Sequence, residues 1–257
     1  MINILIVGMG NVGRHILNEF SQYRNEVNIE MFDKYKQIYN SKIDNKSFDF
    51  SFICVPTEMN EDGSCNVSEV ICAVNDLRAR CNPGIIVLKS TVPIGTTESL
   101  GSDVIFSPEY YGTTLHSPKN VNFLILGGNK ENCSKVADLY YRIKPNSFRI
   151  RFTDSRTAEL AKYMENCFLA LKVTFCSEFA MIAREFGISY PELREIFIMD
   201  ERMGDSHTLI KEDQPFYDSH CLNKDIPALN RQTKLSLLMR AVEEINKQMK
   251  SNKSLDN

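Results

Sequence analysis

The 257-residue chain contains no tryptophan, four histidines and no cysteine pair in the C-x-x-C spacing. Its eight cysteines lack zinc-ligand spacing and several lie in apolar segments, which predicts reduced thiols, no metal site and a cytoplasmic location. The net charge of −3 gives no basic field, so nucleic acids and anionic membranes are poor partners. No uninterrupted apolar run approaches the roughly 18 to 20 residues of a membrane span, and no signal-peptide pattern is present. These absences predict a soluble globular protein.

Strand and helix patterns alternate in the first part of the chain, which favours a mainly parallel sheet with helices on both faces. The predicted strands are short and β-branched, as expected for strands that are covered on both sides. They lie at 2–7, 27–32, 48–55, 85–89, 104–106, 123–126 and 148–152, with helices at 12–23, 67–80, 95–100 and 130–143. The pattern predicts an α/β domain over residues 1–153.

The apolar spacing becomes helical after residue 153. Asp154 is the predicted N-cap of a long helix that Gly187 ends, and Ser189 begins a capping-box pattern that opens a second helix. A polar loop, a last helix over 224–248 and a frayed tail from residue 250 are expected to follow. Residues 154–257 are therefore predicted to form an all-α helical domain.

A glycine turn, Gly8-Met9-Gly10-Asn11-Val12-Gly13, joins the first predicted strand to the first helix. Gly8 suits the tight turn, Gly10 lets the backbone approach a pyrophosphate, and Gly13 allows close packing of helix on strand. Asn11 and Val12 belong to the same candidate cofactor site. The turn predicts a dinucleotide site, and the alternative is a glycine turn that binds another ligand or none.

Asp33 ends the second strand, where a carboxylate can accept hydrogen bonds from an adenosine ribose. The same carboxylate would repel a 2′-phosphate and so favour NAD over NADP, although Lys34 and Lys36 weaken that preference. Together with the glycine turn, Asp33 predicts a Rossmann-like, doubly wound domain that binds NAD.

Three polar turns follow later strands at what should be the same edge of the sheet. They are Val55-Pro56-Thr57, the segment beginning Lys89-Ser90-Thr91, and Ser107-Pro108-Glu109. Open α/β sheets bind ligands at the carboxyl ends of their strands, so these turns are candidates for a ligand site. Each one alone is also typical of an ordinary capped loop.

Cys221 is followed by Lys224 and Asp225 in the segment Asp218-Ser219-His220-Cys221-Leu222-Asn223-Lys224-Asp225. A thiol can trap an aldehyde, a lysine can favour the thiolate, and a carboxylate can transfer protons. His220 could also favour the thiolate, or could be a solvated loop residue. The combination indicates an oxidation that passes through an aldehyde.

On the long helix, a narrow stripe carries Glu159, Lys162, Asn166 and Ala170, which are three or four residues apart. The stripe is either the solvated edge of the helix or the wall of a site, and periodicity does not choose between them. Taken singly, Lys162 and Asn166 are typical of exposed helix residues.

The ordered motifs resemble the UDP-glucose/GDP-mannose dehydrogenase family over nearly the whole chain. They are Gly8-x-Gly10-x-x-Gly13, Val55-Pro56-Thr57, Lys89-Ser90-Thr91-Val92-Pro93, Pro108-Glu109, Ala158-Glu159-x-x-Lys162-x-x-x-Asn166 and Cys221-x-x-Lys224-Asp225. The resemblance implies an NAD-dependent enzyme of polysaccharide biosynthesis that oxidises the primary alcohol of a nucleotide sugar, of the UDP-glucose type, twice to a uronic acid. It also implies a homodimer formed through the helical domain.

Residue roles follow from the same resemblance. Cys221 would add to the aldehyde, and hydride loss from the thiohemiacetal would give a thioester that water hydrolyses. Lys162 and Asn166 would bind substrate and stabilise the oxyanion, and Asp225 would move protons and water. Glu109 would bind substrate and assist hydrolysis. The remaining assignments are substrate binding for Lys224, water or cofactor positioning for Thr91, and cofactor binding for Val55, Pro56, Thr57 and Ser90.

The chain departs from the family pattern at several places. Pro215-Phe216-Tyr217-Asp218-Ser219-His220 stands where the family has a glycine-rich loop that wraps sugar and diphosphate, and Asn223 replaces a proline. Tyr110-Tyr111-Gly112-Thr113 lacks an Arg-Glu pair that usually follows Pro-Glu. The family's C-terminal nucleotide-binding domain is also expected to be lacking.

Two other functions fit the same residues. In a single-step hydroxyacid dehydrogenase, Lys162 and Asn166 would serve one alcohol oxidation and Cys221 would be incidental. In a degenerate NAD-binding protein, the substrate half would have been lost while the cofactor turn remained.

Overall fold

The computed structural model describes residues 1–111, 121–211 and 213–255. Over these residues the strands are β1 Ile2–Val7, β2 Val27–Phe32, β3 Phe50–Ile53, β4 Ile85–Leu88, β5 Val104–Phe106, β6 Phe123–Gly127 and β7 Arg149–Thr153. The helices are α1 Asn11–Ser21, α2 Ser68–Arg80, α3 Thr96–Leu100, α4 Lys130–Ile143, α5 Ser155–Glu185, α6 Tyr190–Phe197, α7 His220–Gln232 and α8 Leu237–Leu255. A short 3-10 turn covers Gln37–Tyr39.

Contacts divide the chain into two units. The sheet unit comprises Met1–Glu58 and Cys65–Lys162, and the helical unit comprises Met59–Ser64 and Tyr163–Asn257. The domain boundary predicted at residue 153 coincides with the end of β7, and as a boundary between domains it stays a prediction.

The sheet has the strand order β2-β1-β3-β4-β5-β6-β7, and only the pairing of β5 with β6 is antiparallel among the described strands. Successive side chains of β1 enter opposite cores: Ile4 and Ile6 pack with α1 and α4, whereas Leu5 and Val7 pack with α2 and α3. Both faces are therefore covered by helices, which confirms the predicted α/β architecture with a doubly wound, mainly parallel sheet.

The helical unit has its own apolar core, which includes Ala170, Leu222, Ile226 and Val242. The long helix α5, whose residues up to Lys162 belong to the sheet unit, begins and ends as predicted. The Thr157 N–H donates to the Asp154 carboxylate over 2.9 Å, and Gly187 leaves the helix with φ of +68°, a conformation that glycine adopts without strain. Ser189 is the N-cap of α6, but its side chain makes no capping hydrogen bond, so the predicted capping box is not formed.

The predicted last helix over 224–248 is wrong, because two helices occupy this region. α7 starts earlier, at His220, and α8 starts at Leu237 and continues through the predicted frayed tail to Leu255. The break has a tertiary cause. Arg240 of α8 donates to the carbonyl oxygens of Asn230 (2.7 Å) and Thr233 (2.9 Å), and so satisfies the end of α7.

No uninterrupted apolar run of span length was expected, and the apolar part of the long helix α5 is interrupted by Lys172 and Glu178. An 18-residue window within it has a mean hydropathy of 1.4, which is sufficient by length and composition. This is weak evidence for a span, because 39% of the window is buried and its Asn166 donates to Asp225 of α7. These contacts are typical of a core helix.

Candidate functional site

In the glycine turn, the fold leaves no space for a side chain at Gly8 or Gly13, but it does leave space at Gly10. A Cβ on Gly8, where φ is +88°, would lie 2.7 Å from the Cys54 carbonyl oxygen, and a Cβ on Gly13 would overlap the Gly8 carbonyl oxygen. A Cβ on Gly10 would meet no heavy atom within 4 Å. The space beside Gly10 is therefore open to a ligand, as a pyrophosphate-binding turn requires.

The turn also lies at the position where such sheets bind ligands. Strand order changes direction at β1, which pairs with β2 on one side and β3 on the other. Gly10 is the N-cap of α1, so the N–H groups of Asn11, Val12 and Gly13 have no acceptor within their own helix. These donors and the positive end of the helix dipole fit the pyrophosphate of NAD.

Asp33 at the end of β2 fixes the glycine turn from beside it. Its carboxylate accepts hydrogen bonds from the N–H groups of Met9 (2.8 Å), Tyr35 (3.0 Å) and Lys36 (3.1 Å). Burial works to raise the pKa of Asp33, but these donors and the Lys36 charge outweigh it and lower that pKa. The carboxylate is thus charged and keeps about one acceptor position for another donor. Its contact with ribose stays a prediction.

The turns after β3 and β4 are joined directly. The Thr57 hydroxyl donates to the Thr91 carbonyl oxygen over 2.9 Å, and the Ser90 hydroxyl donates to the Val55 carbonyl oxygen over 2.6 Å. These bonds hold Val55, Pro56 and Thr57 against the neighbouring turn at the carboxyl edge of the sheet.

Glu109 after β5 is held by a buried lysine. Lys89 Nζ lies 3.5 Å from the Glu109 carboxylate and donates to the Ser107 hydroxyl over 3.3 Å. The N–H groups of Tyr110 and Tyr111 donate to the other Glu109 oxygen. Burial would raise the pKa of Glu109, but the Lys89 charge and these donors lower it, so the group is a carboxylate available as a base.

Lys89 received no role from its sequence motif. Lys89 directly follows the apolar strand β4, a position where burial is expected. Because lysine is rarely buried without a partner, this position was the available signal. Of the segment that follows Glu109, Gly112 and Thr113 lie outside the described residues.

The helix stripe is buried, which excludes the solvated-edge interpretation. Lys162 is 8% exposed, Asn166 5%, and Glu159 and Ala170 are fully buried. Lys162 Nζ lies 4.5 Å from the centre of the Tyr110 ring, within range of a cation–π interaction.

Glu159 is a positioning residue that the sequence motif contained but did not explain. Its carboxylate accepts from the N–H groups of Gly95 (2.5 Å) and Thr97 (2.8 Å) and from the Thr97 hydroxyl (2.6 Å). Burial raises its pKa, and these donors counteract that effect only in part. The contacts cap α3 and fix the segment that carries Ser90 and Thr91. The available signal was an acid in a polar stripe on a helix that is rich in apolar residues.

In the helical unit, Cys221 is the second residue of α7 and is exposed. Ser219 is the N-cap and accepts from the Leu222 N–H over 3.3 Å. The first turn of a helix favours a thiolate, because its N–H groups and dipole stabilise negative charge.

One turn after Cys221 on α7, Asp225 belongs to a buried cluster of polar side chains. Asp225 is 1% exposed and accepts from the Asn166 amide of α5 and from Lys224, both over 2.6 Å. The structure therefore brings together three of the predicted catalytic and substrate-binding residues. The Asn166 side chain has one NH2 group with two hydrogens, and because Asp225 accepts one of them, the other can be donated to another acceptor.

Two departures from the family pattern contact each other. Asp218 forms an ion pair with Lys250 over 2.6 Å and accepts from the Asn223 amide over 2.9 Å. Lys250 also donates to the Asn223 oxygen, while Asn246 exchanges two hydrogen bonds with the Tyr217 backbone. α8 thus fixes the loop before Cys221, and the ion pair neutralises the charge of Asp218.

Known proteins match both units. Residues 32–144 match the NAD binding domain of the UDP-glucose/GDP-mannose dehydrogenase family, and residues 156–248 match its central domain. The chain belongs to the UDP-glucose/GDP-mannose dehydrogenase family. Membership confirms the resemblance and implies NAD as the cofactor, although the match begins after the glycine turn.

Individual relatives of this dehydrogenase family support the assignment. UDP-N-acetyl-D-mannosamine dehydrogenase of Methanocaldococcus jannaschii is 27% identical over 78% of the chain and 49% of its own length. UDP-glucose 6-dehydrogenase of Rickettsia bellii is 29% identical over 77% of the chain and 47% of its own length. The chain spans about half the length of these curated relatives.

A UDP-glucose dehydrogenase from Pyrobaculum islandicum shares the fold. Its structure superposes with a TM-score of 0.79 and 23% identity over 98% of this chain and 68% of its own. The likeness confirms a Rossmann-like sheet followed by helices.

The contrast between Gly10 and Gly13 gives a testable prediction. Gly10→Ala should leave the free energy of unfolding within about 1 kcal/mol of the original, since its Cβ meets nothing. It should weaken NAD binding by roughly 10- to 100-fold, because the added methyl group would hold the pyrophosphate away from the turn at a cost similar to one lost hydrogen bond to a charged group. Calorimetric titration with NAD and urea unfolding measure the two effects.

Gly13→Ala is the comparison, because its Cβ overlaps the Gly8 carbonyl oxygen and should destabilise the fold itself. Unchanged NAD affinity in Gly10→Ala would mean that the pyrophosphate does not pass this turn.

Proposed function

We propose that the chain is an NAD-dependent nucleotide-sugar 6-dehydrogenase that oxidises a UDP-glucose-type sugar to its uronic acid through a covalent intermediate on Cys221. The observation that supports this proposal best is the cluster of Asn166, Lys224 and Asp225 on the same helix pair as Cys221. A buried carboxylate with an amide and an ammonium is a costly arrangement for a protein core. It is readily understood as the support of a reactive thiol.

NAD, when bound, accepts hydride from the sugar carbon. In the proposed reaction the first oxidation gives an aldehyde, and the Cys221 thiolate adds to its carbonyl carbon to form a thiohemiacetal. The second hydride loss makes a thioester. Water then adds to the thioester carbonyl, the carbon–sulfur bond breaks, and the uronic acid and the thiolate are released.

Preorganised donors support the oxyanion in this scheme. Asn166 is held by its hydrogen bond to Asp225, which leaves one amide hydrogen for the substrate oxygen. The Lys162 ammonium supplies a positive charge in the same role. Asp225 acts mainly by orienting Asn166 and Lys224, a narrower role than the proton and water transfer expected from the resemblance.

Glu109 is the proposed base for thioester hydrolysis and takes a proton from the attacking water. Its lowered pKa keeps it ionised and ready to accept this proton at neutral pH. Thr91 is proposed to position water or cofactor, and Ser90 is proposed to bind the cofactor. Both lie in the turn after β4, which Glu159 and Thr57 hold in place. Lys224 is proposed to bind the substrate with the donor hydrogens that Asp225 does not use.

A substrate screen tests the function. UDP-glucose and UDP-N-acetyl-D-mannosamine are incubated with NAD while absorbance in the NADH band is followed. The proposal expects two NADH for each uronic acid formed. One NADH for each product would favour a single-step hydroxyacid-type dehydrogenase.

The degenerate alternative is separated by binding. Calorimetric titration that detects NAD but neither nucleotide sugar, with no NADH formed, would favour a protein that has kept only its cofactor site. Because the chain spans about half of its relatives, catalysis by these residues alone belongs to the proposal.

We also propose that the chain forms a homodimer through α5. Large apolar side chains are exposed along it at 164, 168, 175, 179 and 182, all within about 60° around the helix axis. The stripe spans roughly 27 Å, and a second copy of the same stripe provides a self-complementary partner.

Phe168→Glu with Phe175→Glu should convert the dimer into a monomer in light scattering at micromolar concentration. Leu235→Glu is the control, because Leu235 is 89% exposed between α7 and α8 and lies off the stripe. A monomer mass for the unaltered chain would contradict the proposal.

A further inference from the structure

A small cavity of about 20 Å³ lies beside Glu109 in the sheet unit. This volume is sufficient for one water molecule. Its walls include many ionisable groups, namely His15, Glu19, Lys89, Glu109, Tyr111 and Lys144. A water in this space would find the two to four polar partners that a buried water needs.

Contacts connect Glu109 to His15 along this wall. The Tyr111 N–H donates to the Glu109 carboxylate over 3.2 Å, and the Tyr111 ring lies against the His15 ring with 3.4 Å between their centres. The His15 charge is one of the influences that lower the pKa of Glu109. His15 is half-buried on α1, so it adjoins both the cavity and the solvent.

Glu109, the base proposed for hydrolysis, must pass on the proton that it takes from the attacking water. The Glu109 side chain is 11% exposed, and Lys89, which is itself buried, occupies one carboxylate oxygen. Histidine is the side chain that most readily accepts and releases protons near neutral pH. Glu19 and Lys144 form an ion pair on the same wall, so their charges balance each other.

We propose that the cavity holds a water molecule through which Glu109 passes its proton to His15, and that His15 releases this proton to solvent. The inference rests on the proposed role of Glu109. After the attacking water gives its proton to Glu109, that proton moves to the cavity water while the water gives another to the imidazole. The carboxylate is restored without any change of oxidation state. His15 therefore acts through Glu109 and does not touch the substrate.

Two measurements test the site without catalysis. A high-resolution crystal structure should contain an ordered water within hydrogen-bond distance of both the Glu109 carboxylate and the His15 ring. Infrared difference spectra against Glu109→Gln report the protonation of Glu109. In His15→Phe the midpoint of the Glu109 titration should move to higher pH, because a positive charge that lowers the pKa of Glu109 is lost.

Arg24→Gln is the matched control, since it removes an exposed positive charge shortly after the end of α1 and should leave that midpoint unchanged. A cavity without a water that reaches both side chains, or an unchanged midpoint in His15→Phe, would overturn the proposal.

Kinetics separates this proposal from the function on which it rests. His15→Phe should slow thioester hydrolysis at least about tenfold while leaving the first NADH burst intact. In His15→Ala, where the space of the ring is vacant, added imidazole should restore the rate. Normal hydrolysis in Glu109→Gln would refute the role of Glu109. Slow hydrolysis in Glu109→Gln with normal hydrolysis in His15→Phe would refute the proton exit alone.

Discussion

Replacement of Cys221 by serine should abolish uronic acid formation while NAD binding is retained. A serine hydroxyl is a weak nucleophile at neutral pH, whereas a thiol in the first turn of α7 is favoured as the thiolate. The first oxidation does not need the sulfur, so some aldehyde should still form. The NADH yield for each consumed sugar should fall from two towards one, and an aldehyde-trapping reagent should capture the product.

Cys72→Ser is the control for this experiment, because Cys72 is also exposed but lies on α2 in the sheet unit. It should retain two NADH for each product. Full uronic acid formation in Cys221→Ser would eliminate the thioester route and leave Cys221 incidental.

Asp225→Asn should lower the free energy of unfolding by about 3 to 5 kcal/mol, the usual cost of removing one partner from a buried ion pair. The change keeps the shape of the side chain but leaves the buried Lys224 ammonium without its opposite charge. Urea unfolding measures the loss. Glu131→Ala should cost at most about 0.5 kcal/mol, because its pair with Lys135 is exposed on α4.

A double variant separates stability from function at the same site. Lys224→Met with Asp225→Leu removes both charges and should recover much of the lost stability, since apolar replacements of buried pairs are often neutral or stabilising. It should nevertheless remain inactive, because Asn166 loses the acceptor that orients it. A cost below 1 kcal/mol for Asp225→Asn would show that the buried Lys224–Asp225 ion pair contributes little to stability.

Local pattern was sufficient to predict the sheet unit. β1, β2, β5 and α4 have the predicted bounds, because their apolar runs end at residues with clear turn or capping preferences. The glycine turn was equally predictable, since Gly8 and Gly13 are dictated by backbone geometry over a few residues. The turns after β3, β4 and β5 could be placed at one edge because parallel strands end together.

Long-range contacts explain what the sequence could not predict. The break between α7 and α8 depends on Arg240, which caps α7 from the following helix, and no glycine or proline marks it. The burial of Lys162 and Asn166 likewise depends on tertiary packing, so periodicity left their stripe ambiguous. The roles of Lys89 and Glu159 become clear only from the residues that they contact in the folded structure.

The contact of Asp218 with Asn223 and Lys250 has an evolutionary consequence. These side chains satisfy one another, so an exchange at one position changes the effect of an exchange at the next. Loss of the Asp218 carboxylate would leave Lys250 with the Asn223 oxygen and the Phe216 ring, and proline at 223 would remove that oxygen as well. Substitution of these positions one at a time during divergence is therefore expected to have a different effect from their substitution together.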